Sequence, residues 1–201
     1  GSGNQGPKTL EAIQNRNCGW FFEAMQDDFK KIPGSPVVYW VSDAVREVFS
    51  TSESLSSVAS ARKGLDTGDN ERFLRFWAEV DQASVNLKCS SSDESRLSSC
   101  TWYPINRGGG FRKGYGNSEY LINWKRDGQE IRGAKDASGS TRANLRSEQF
   151  YFSESLTWGA ITSSSFSARY CDSGAAFGAG GYSVFAEPGV LDAVAGLFGS
   201  S

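Results

Sequence analysis

Gly64-Leu65-Asp66-Thr67-Gly68-Asp69-Asn70-Glu71-Arg72-Phe73-Leu74 separates two runs in which apolar and polar residues alternate. Before it, Leu55, Val58, Ala59 and Ala61 lead into the basic pair Arg62-Lys63. After it, Leu74-Arg75-Phe76-Trp77-Ala78-Glu79-Val80 alternates again. A period of two reads as strand. The polar stretch between them has two glycines that tolerate positive φ, and Asp, Asn and Thr side chains that bond neighbouring backbone. Two strands joined by a structured loop are therefore expected, with Thr67 and Asn70 presented outward. Loops on a rigid scaffold often carry recognition. A plain structural hairpin is the other reading of the same residues.

Upstream, apolar residues at 10, 13, 20, 21, 24, 25, 29 and 32 have helical spacing, interrupted at Cys18-Gly19 and stopped by Pro33-Gly34. Ser42 is a good N-cap for a helix from Asp43 to Phe49, with Val45, Val48 and Phe49 inward. Residues 50–57 are a serine-rich loop. Downstream, Ser90–Ser95 reads as a polar turn, and 101–105 as a strand in which Pro104 suggests an edge or an end. Residues 120–124 are a strand, and Asp127-Gly128 is a turn signal. Further strands are expected at 150–152, 156–158 and 166–170, with a serine turn between the second and third of these, and Phe177 and 182–185 give a last strand pair. A final helix opens at Pro188. Trp77, Trp102, Trp124 and Trp158 sit in strand-like runs and are expected in the core. These elements give an α+β chain: a helical N-terminal segment over 8–50, then an irregular, mostly antiparallel sheet with long loops over 51–201. Residues 1–7 are small and polar and are set aside as an expression remnant.

Several classes of chemistry are disfavoured. The chain has 201 residues and no histidine, which removes the commonest general base. The four cysteines (18, 89, 100 and 171) form no CxxC pair, so they read as free thiols, with a Cys89–Cys100 bridge as the minor alternative. No metal site is expected. No apolar run reaches the roughly 18 residues of a membrane span, and no signal peptide is visible, so a cytoplasmic location is expected. Phe177-Gly178-Ala179-Gly180-Gly181 has the look of a nucleotide-cofactor loop, but a strand-like run follows it where a helix is required. Gly108-Gly109-Gly110 lacks the GK[ST] of a phosphate loop. No NPPY tetrapeptide occurs. No catalytic or cofactor-binding residue is assigned.

The formal charge of -2 hides an uneven distribution. Residues 101–146 hold nine basic residues against four acidic ones. Trp102, Tyr103, Phe111, Tyr115 and Trp124 lie among them, between Gly, Asn and Ser. Cations and aromatics interleaved on glycine-rich loops suit phosphate contact and base contact. A solvated surface around an aromatic core is the competing reading.

The order of motifs resembles one family. It begins with Ile32-Pro33-Gly34-Ser35-Pro36, Tyr39-Trp40-Val41-Ser42 and the Gly64–Leu74 stretch. Trp102-Tyr103-Pro104-Ile105-Asn106-Arg107-Gly108-Gly109 and Phe111-Arg112-Lys113-Gly114-Tyr115-Gly116-Asn117 follow. Asn123-Trp124, Asp127-Gly128, Tyr151-Phe152, Leu156-Thr157-Trp158 and Phe166-Ser167-Ala168-Arg169 complete it. Over about residues 32 to 190 the chain resembles the target-recognition region of large bacterial adenine-specific DNA methyltransferases. Those are the PglX kind of BREX phage-defence systems and the fused type IIG restriction-modification enzymes.

The resemblance implies a parent enzyme that moves a methyl group from S-adenosylmethionine to adenine N6, with its cofactor and NPPY motifs upstream of this region. It implies double-stranded DNA as partner, a catalytic domain in the same parent chain, and contact with other defence-system proteins. Gripping uses Arg, Lys, Thr and backbone N–H groups, while choosing uses Arg, Asn and Gln on base edges. The candidate DNA-binding residues are Arg62, Lys63, Thr67, Asn70, Arg72, Arg107, Arg112, Lys113, Asn117, Lys125, Arg126 and Arg169. A protein-docking module of a defence complex is the alternative function, and a self-contained nuclease a weaker one.

Overall fold

The computed structural model describes residues 2–161 and 165–199. The chain forms two compact units, Gly1–Ser54 and Leu55–Ser201, so the division falls inside the serine-rich stretch.

The first unit holds α1 (Gln5–Gln14), α2 (Gln26–Phe29) and α3 (Asp43–Thr51). The helical spacing between 10 and 32 is not one interrupted helix, because residues 15–25 are irregular. The helix also starts within the segment set aside as a remnant. Ser42 caps α3 as expected, its Oγ accepting from the Val45 N–H at 3.4 Å. The inward face is different. Val45, Val48 and Phe49 are exposed, and Arg46 is the buried residue of the helix. Its guanidinium donates to Asp43 at 2.8 Å and to the Tyr39 carbonyl at 3.4 Å. A unit this small cannot cover every apolar residue its helices carry.

The second unit is built on eight strands among the described residues. They are β1 (Ala59–Lys63), β2 (Leu74–Phe76), β3 (Trp102–Asn106), β4 (Tyr120–Asn123), β5 (Ser155–Gly159), β6 (Arg169–Cys171), β7 (Ala176–Phe177) and β8 (Gly181–Ala186). One sheet runs β1-β8-β5-β6 and is antiparallel throughout. The other runs β2-β4-β3-β7, with β3 and β7 parallel. The fold is α+β.

The main core packs Leu65, Phe73, Tyr103, Ile122, Trp124, Phe152 and Phe177, each adding about 1.5–3 kcal/mol when fully buried. A smaller cluster of Leu156, Val184, Leu191 and Val194 lies under the final helix α7 (Pro188–Gly199).

Several local expectations change. β3 is an inner strand rather than an edge, and Pro104 falls near its end, where β7 pairs with Ile105 and Asn106 alone. Residues 92–97 are the helix α5 (Ser92–Leu97), not a turn. Ser91 caps it, accepting from the Glu94 N–H, and Glu94 reaches back to the Ser90 N–H at 2.8 Å. Residues 150–152 form no strand and follow a 3-10 turn at Glu148–Phe150. Trp124 is core and Trp102 and Trp158 are half-buried, but Trp77 is exposed, because β2 ends at Phe76 and a 3-10 turn carries Trp77 outward. The four cysteines are separate thiols. The serine turn before β6 lies partly outside the described residues. No helix among the described residues is long and apolar enough to cross a membrane.

Candidate nucleic-acid interface

The loop after β1 is satisfied by its own hydrogen bonds. Thr67 is 3% exposed, so it faces inward against the expectation. Its hydroxyl donates to Asn70 Oδ1 at 2.6 Å and accepts from the Asp69 N–H at 3.2 Å. Asp69 caps the short helix α4 (Asn70–Phe73), accepting from the Arg72 N–H at 3.1 Å. Outside the loop, Asp66 exchanges two backbone bonds with Asn144, and Arg142 pairs with Asp69 at 3.1 Å. A β-carbon on Gly68 would collide with the Arg142 backbone.

Three segments meet at the Phe177–Gly180 turn. The Leu65 N–H donates to the Phe177 carbonyl, and the Ala179 N–H to the Leu65 carbonyl. On the other side, the Gly178 N–H donates to the Asn106 carbonyl at 2.7 Å. This junction forms a cleft of about 340 Å³ whose lining includes Lys63, Thr67, Asn70, Arg107 and Gly178–Gly180. Arg107 lies over the Tyr120 ring at 5.1 Å. Neither Lys63 nor Arg107 has a carboxylate partner among the described residues. The one carboxylate of the lining, Asp66, accepts from the Gly68 N–H at 3.1 Å.

The glycine turn does not fit S-adenosylmethionine. β8 follows it directly, and β-carbons on Gly180 and Gly181 would meet the backbone of Arg107 and Trp158. Its glycines serve close chain packing. No His, Cys, Asp and Glu cluster suited to a metal occurs among the described residues.

A second concavity, about 450 Å³, is lined by Asn123, Lys125, Arg126, Gln129 and Glu130. Here Asp127-Gly128 does turn the chain, but within α6 (Lys125–Gly133) rather than between strands. Arg126, Asp127 and Gly128 take φ of 52°, 58° and 70°, three left-handed residues in succession. The two that are not glycine cost about 1–2 kcal/mol each. Surrounding contacts hold the turn. The Asp127 carboxylate receives Arg96 at 3.2 Å and Arg132 at 3.4 Å, and Arg132 Nε donates to the Asp127 carbonyl at 2.7 Å. Arg132 also pairs with Glu148. Lys125 and Arg126 are left exposed. Arg72 stands beside them, bound through Nε and Nη2 to Glu130, which also receives Asn123 at 3.0 Å.

The remaining candidates separate. Arg62 lies over the Phe150 ring at 5.5 Å. Arg112 and Lys113 are exposed on the loop after β3, and Asn117 closes that loop by donating to the Gly110 carbonyl at 2.9 Å. Arg169 is 1% exposed, so as it stands it offers nothing to an external partner. None of its three nitrogens has an acceptor among the described residues. Burial holds its pKa below the usual guanidinium value. The neighbouring Cys171 thiol is pushed up to about 11, chiefly by burial, and supplies no negative charge at neutral pH. Asn123 and Gln129 line the second concavity and escaped the sequence reading, because Asn123 read as strand and Gln129 followed a turn signal.

No protein-family model matches the chain. It is similar to the adenine-specific methyltransferase PglX of Lacticaseibacillus casei (strain Zhang), 41% identical over 180 residues, which are 89% of this chain and 15% of that protein. It is also similar to the adenine-specific methyltransferase BrxX of Escherichia coli O9:H4 (strain HS), 40% identical over 185 residues, 92% of this chain and 14% of that protein. The chain thus spans about one-seventh of the curated relatives it matches.

Proposed function

We propose that this chain is the DNA target-recognition module of an adenine-N6 methyltransferase of a phage-defence or restriction system. In this reading it holds duplex DNA for methyl transfer from S-adenosylmethionine by a catalytic domain elsewhere in the parent protein. Similarity to two adenine-specific methyltransferases supports this reading. The observation that carries the reading is the convergence of Lys63 and Arg107, without carboxylate partners, at one cleft with Asn70 and a turn of small residues.

Cations without carboxylate partners suit phosphate oxygens, which set register without reading sequence. Lys125, Arg126, Asn123 and Gln129 supply the types that address guanine and adenine edges. Arg62, Arg72, Arg112, Lys113 and Asn117 are assigned to supporting contacts. Thr67 acts indirectly, by fixing Asn70.

Titration of a labelled random-sequence duplex at low and moderate salt tests the reading. Affinity should fall steeply with salt, and Lys63→Ala with Arg107→Ala should lower it and flatten the slope by about two. Binding indifferent to salt would sink the proposal. A second reading, protein docking, draws on a groove of about 870 Å³ lined by Trp77, Leu87, Tyr115 and Leu121 with Glu154 and Asp172 at hand. It predicts that Trp77→Ala leaves duplex affinity unchanged and abolishes capture of a defence partner.

A further inference from the structure

β6 is the last strand of its sheet, and the loop after β3 occupies its free edge. The Gly114 N–H donates to the Ala168 carbonyl at 3.1 Å, and the Tyr170 N–H to the Gly114 carbonyl at 2.7 Å. These two bonds bracket Arg169, whose neighbour on the opposite side is Thr157 of β5. The residue at the centre of this arrangement is the buried arginine with three unpaired nitrogens. Burying a charge without acceptors is costly and persists where the surroundings enforce it. Cys171 is uncharged, and Glu119 exerts its charge without bonding the guanidinium. Asn106, buried at the end of β3, has its side chain beside the Cys171 thiol.

The loop is anchored at its start, where Gly108 is buried and packed against Gly180, and its tip is exposed. Gly108, Gly109, Gly114, Gly116 and Asn117 all have positive φ. A β-carbon on Gly110 or Gly114 would touch nothing within 4 Å. Beyond the two backbone bonds, Tyr115 ties the loop to β6 by donating to Asp172 at 3.1 Å. Phe111 through Tyr115 are exposed, while the arginine they flank is not.

We propose that residues 109–117 are a flap that DNA displaces from the edge of β6, and that Arg169, once uncovered, donates its paired N–H groups to a bidentate acceptor on the DNA. This rests on the reading of the chain as a DNA-recognition module. The acceptor is a phosphate or the O6/N7 edge of guanine, which share the geometry that a guanidinium fork matches. Arg112 and Lys113, at the tip of the flap, meet the DNA first. The unpaired state of Arg169 when covered favours the open form once an acceptor arrives. DNA shifts the population because it bonds Arg169 in the open form alone.

The test uses the 201-residue chain, a labelled random-sequence duplex pool and two variants. Arg169→Met removes a buried unpaired charge and keeps the volume. It is expected to raise the thermal midpoint by about 3 °C or more and to weaken duplex binding about tenfold. Loss of about one unit of salt slope assigns Arg169 to phosphate; an unchanged slope with a lost base preference in sequences enriched from the pool assigns it to guanine. Tyr115→Phe loosens the flap and is expected to tighten binding two- to threefold, by roughly the population-shift relation. A lower thermal midpoint in Arg169→Met makes the arginine structural and overturns the proposal, as does unchanged affinity in that folded variant. Tyr115→Phe without tighter binding overturns the flap. Wild-type protein that shows no salt-sensitive binding overturns the DNA reading itself, so the two failures are distinct.

Discussion

Two polar, glycine-containing loops, 64–74 and 107–118, have opposite mechanical characters. The first is mostly acidic in its charges and the second wholly basic. In the first, side chains bond neighbouring backbone, and the loop is tied by backbone pairs to Asn144 and Phe177. In the second, five backbone positions with positive φ are spanned by few bonds, and an unpaired arginine lies at the strand it borders. Glycine means different things in the two. At Gly64 it permits close approach, since a β-carbon there would overlap the Phe177 carbonyl. At Gly110 it faces open space. A recognition surface needs both: a fixed part to set register and a movable part to answer the ligand.

The contrast can be broken most severely at Gly64. Gly64→Val should cost about 3 kcal/mol or more, because it must part the loop from the Phe177–Gly180 turn. Denaturant midpoints measure this, and a midpoint near wild type would show that the junction yields. Next comes Thr67→Val, which keeps the shape and removes a buried hydroxyl that both donates and accepts. A loss of about 1–3 kcal/mol is expected, with weaker duplex binding because Asn70 loses its anchor. Gly110→Ala sharpens the other side of the comparison. It should change stability by no more than about 0.5 kcal/mol, with any gain arising from the unfolded chain. A large loss there would mean that the second loop is as tightly packed as the first.

Much of the candidate site was visible as residue types but not as a site. Lys63, Asn70 and Arg107 were all identifiable, yet their meeting depends on the Phe177–Ala179 turn bonding Leu65 on one side and Asn106 on the other. Nothing local in the sequence encodes that pairing. Thr67 was read as outward because the loop is polar, and it turned inward because its hydroxyl completes a bond with Asn70. Val45, Val48 and Phe49 had the right spacing for a buried face, but α3 has too little around it to bury them.

By itself, the sequence determined what depends on neighbours along the chain. The cap at Ser42, the strand at Tyr120–Asn123, the helix beginning at Pro188 and the α+β class all follow from short-range periodicity and turn chemistry. The tertiary structure alone decided the rest. It turned Arg126–Gly128 left-handed through Arg96 and Arg132, placed β3 inside its sheet, and buried Arg169 without an acceptor. Each of these depends on groups outside the local run of sequence, such as Arg96, which is 31 residues from Asp127.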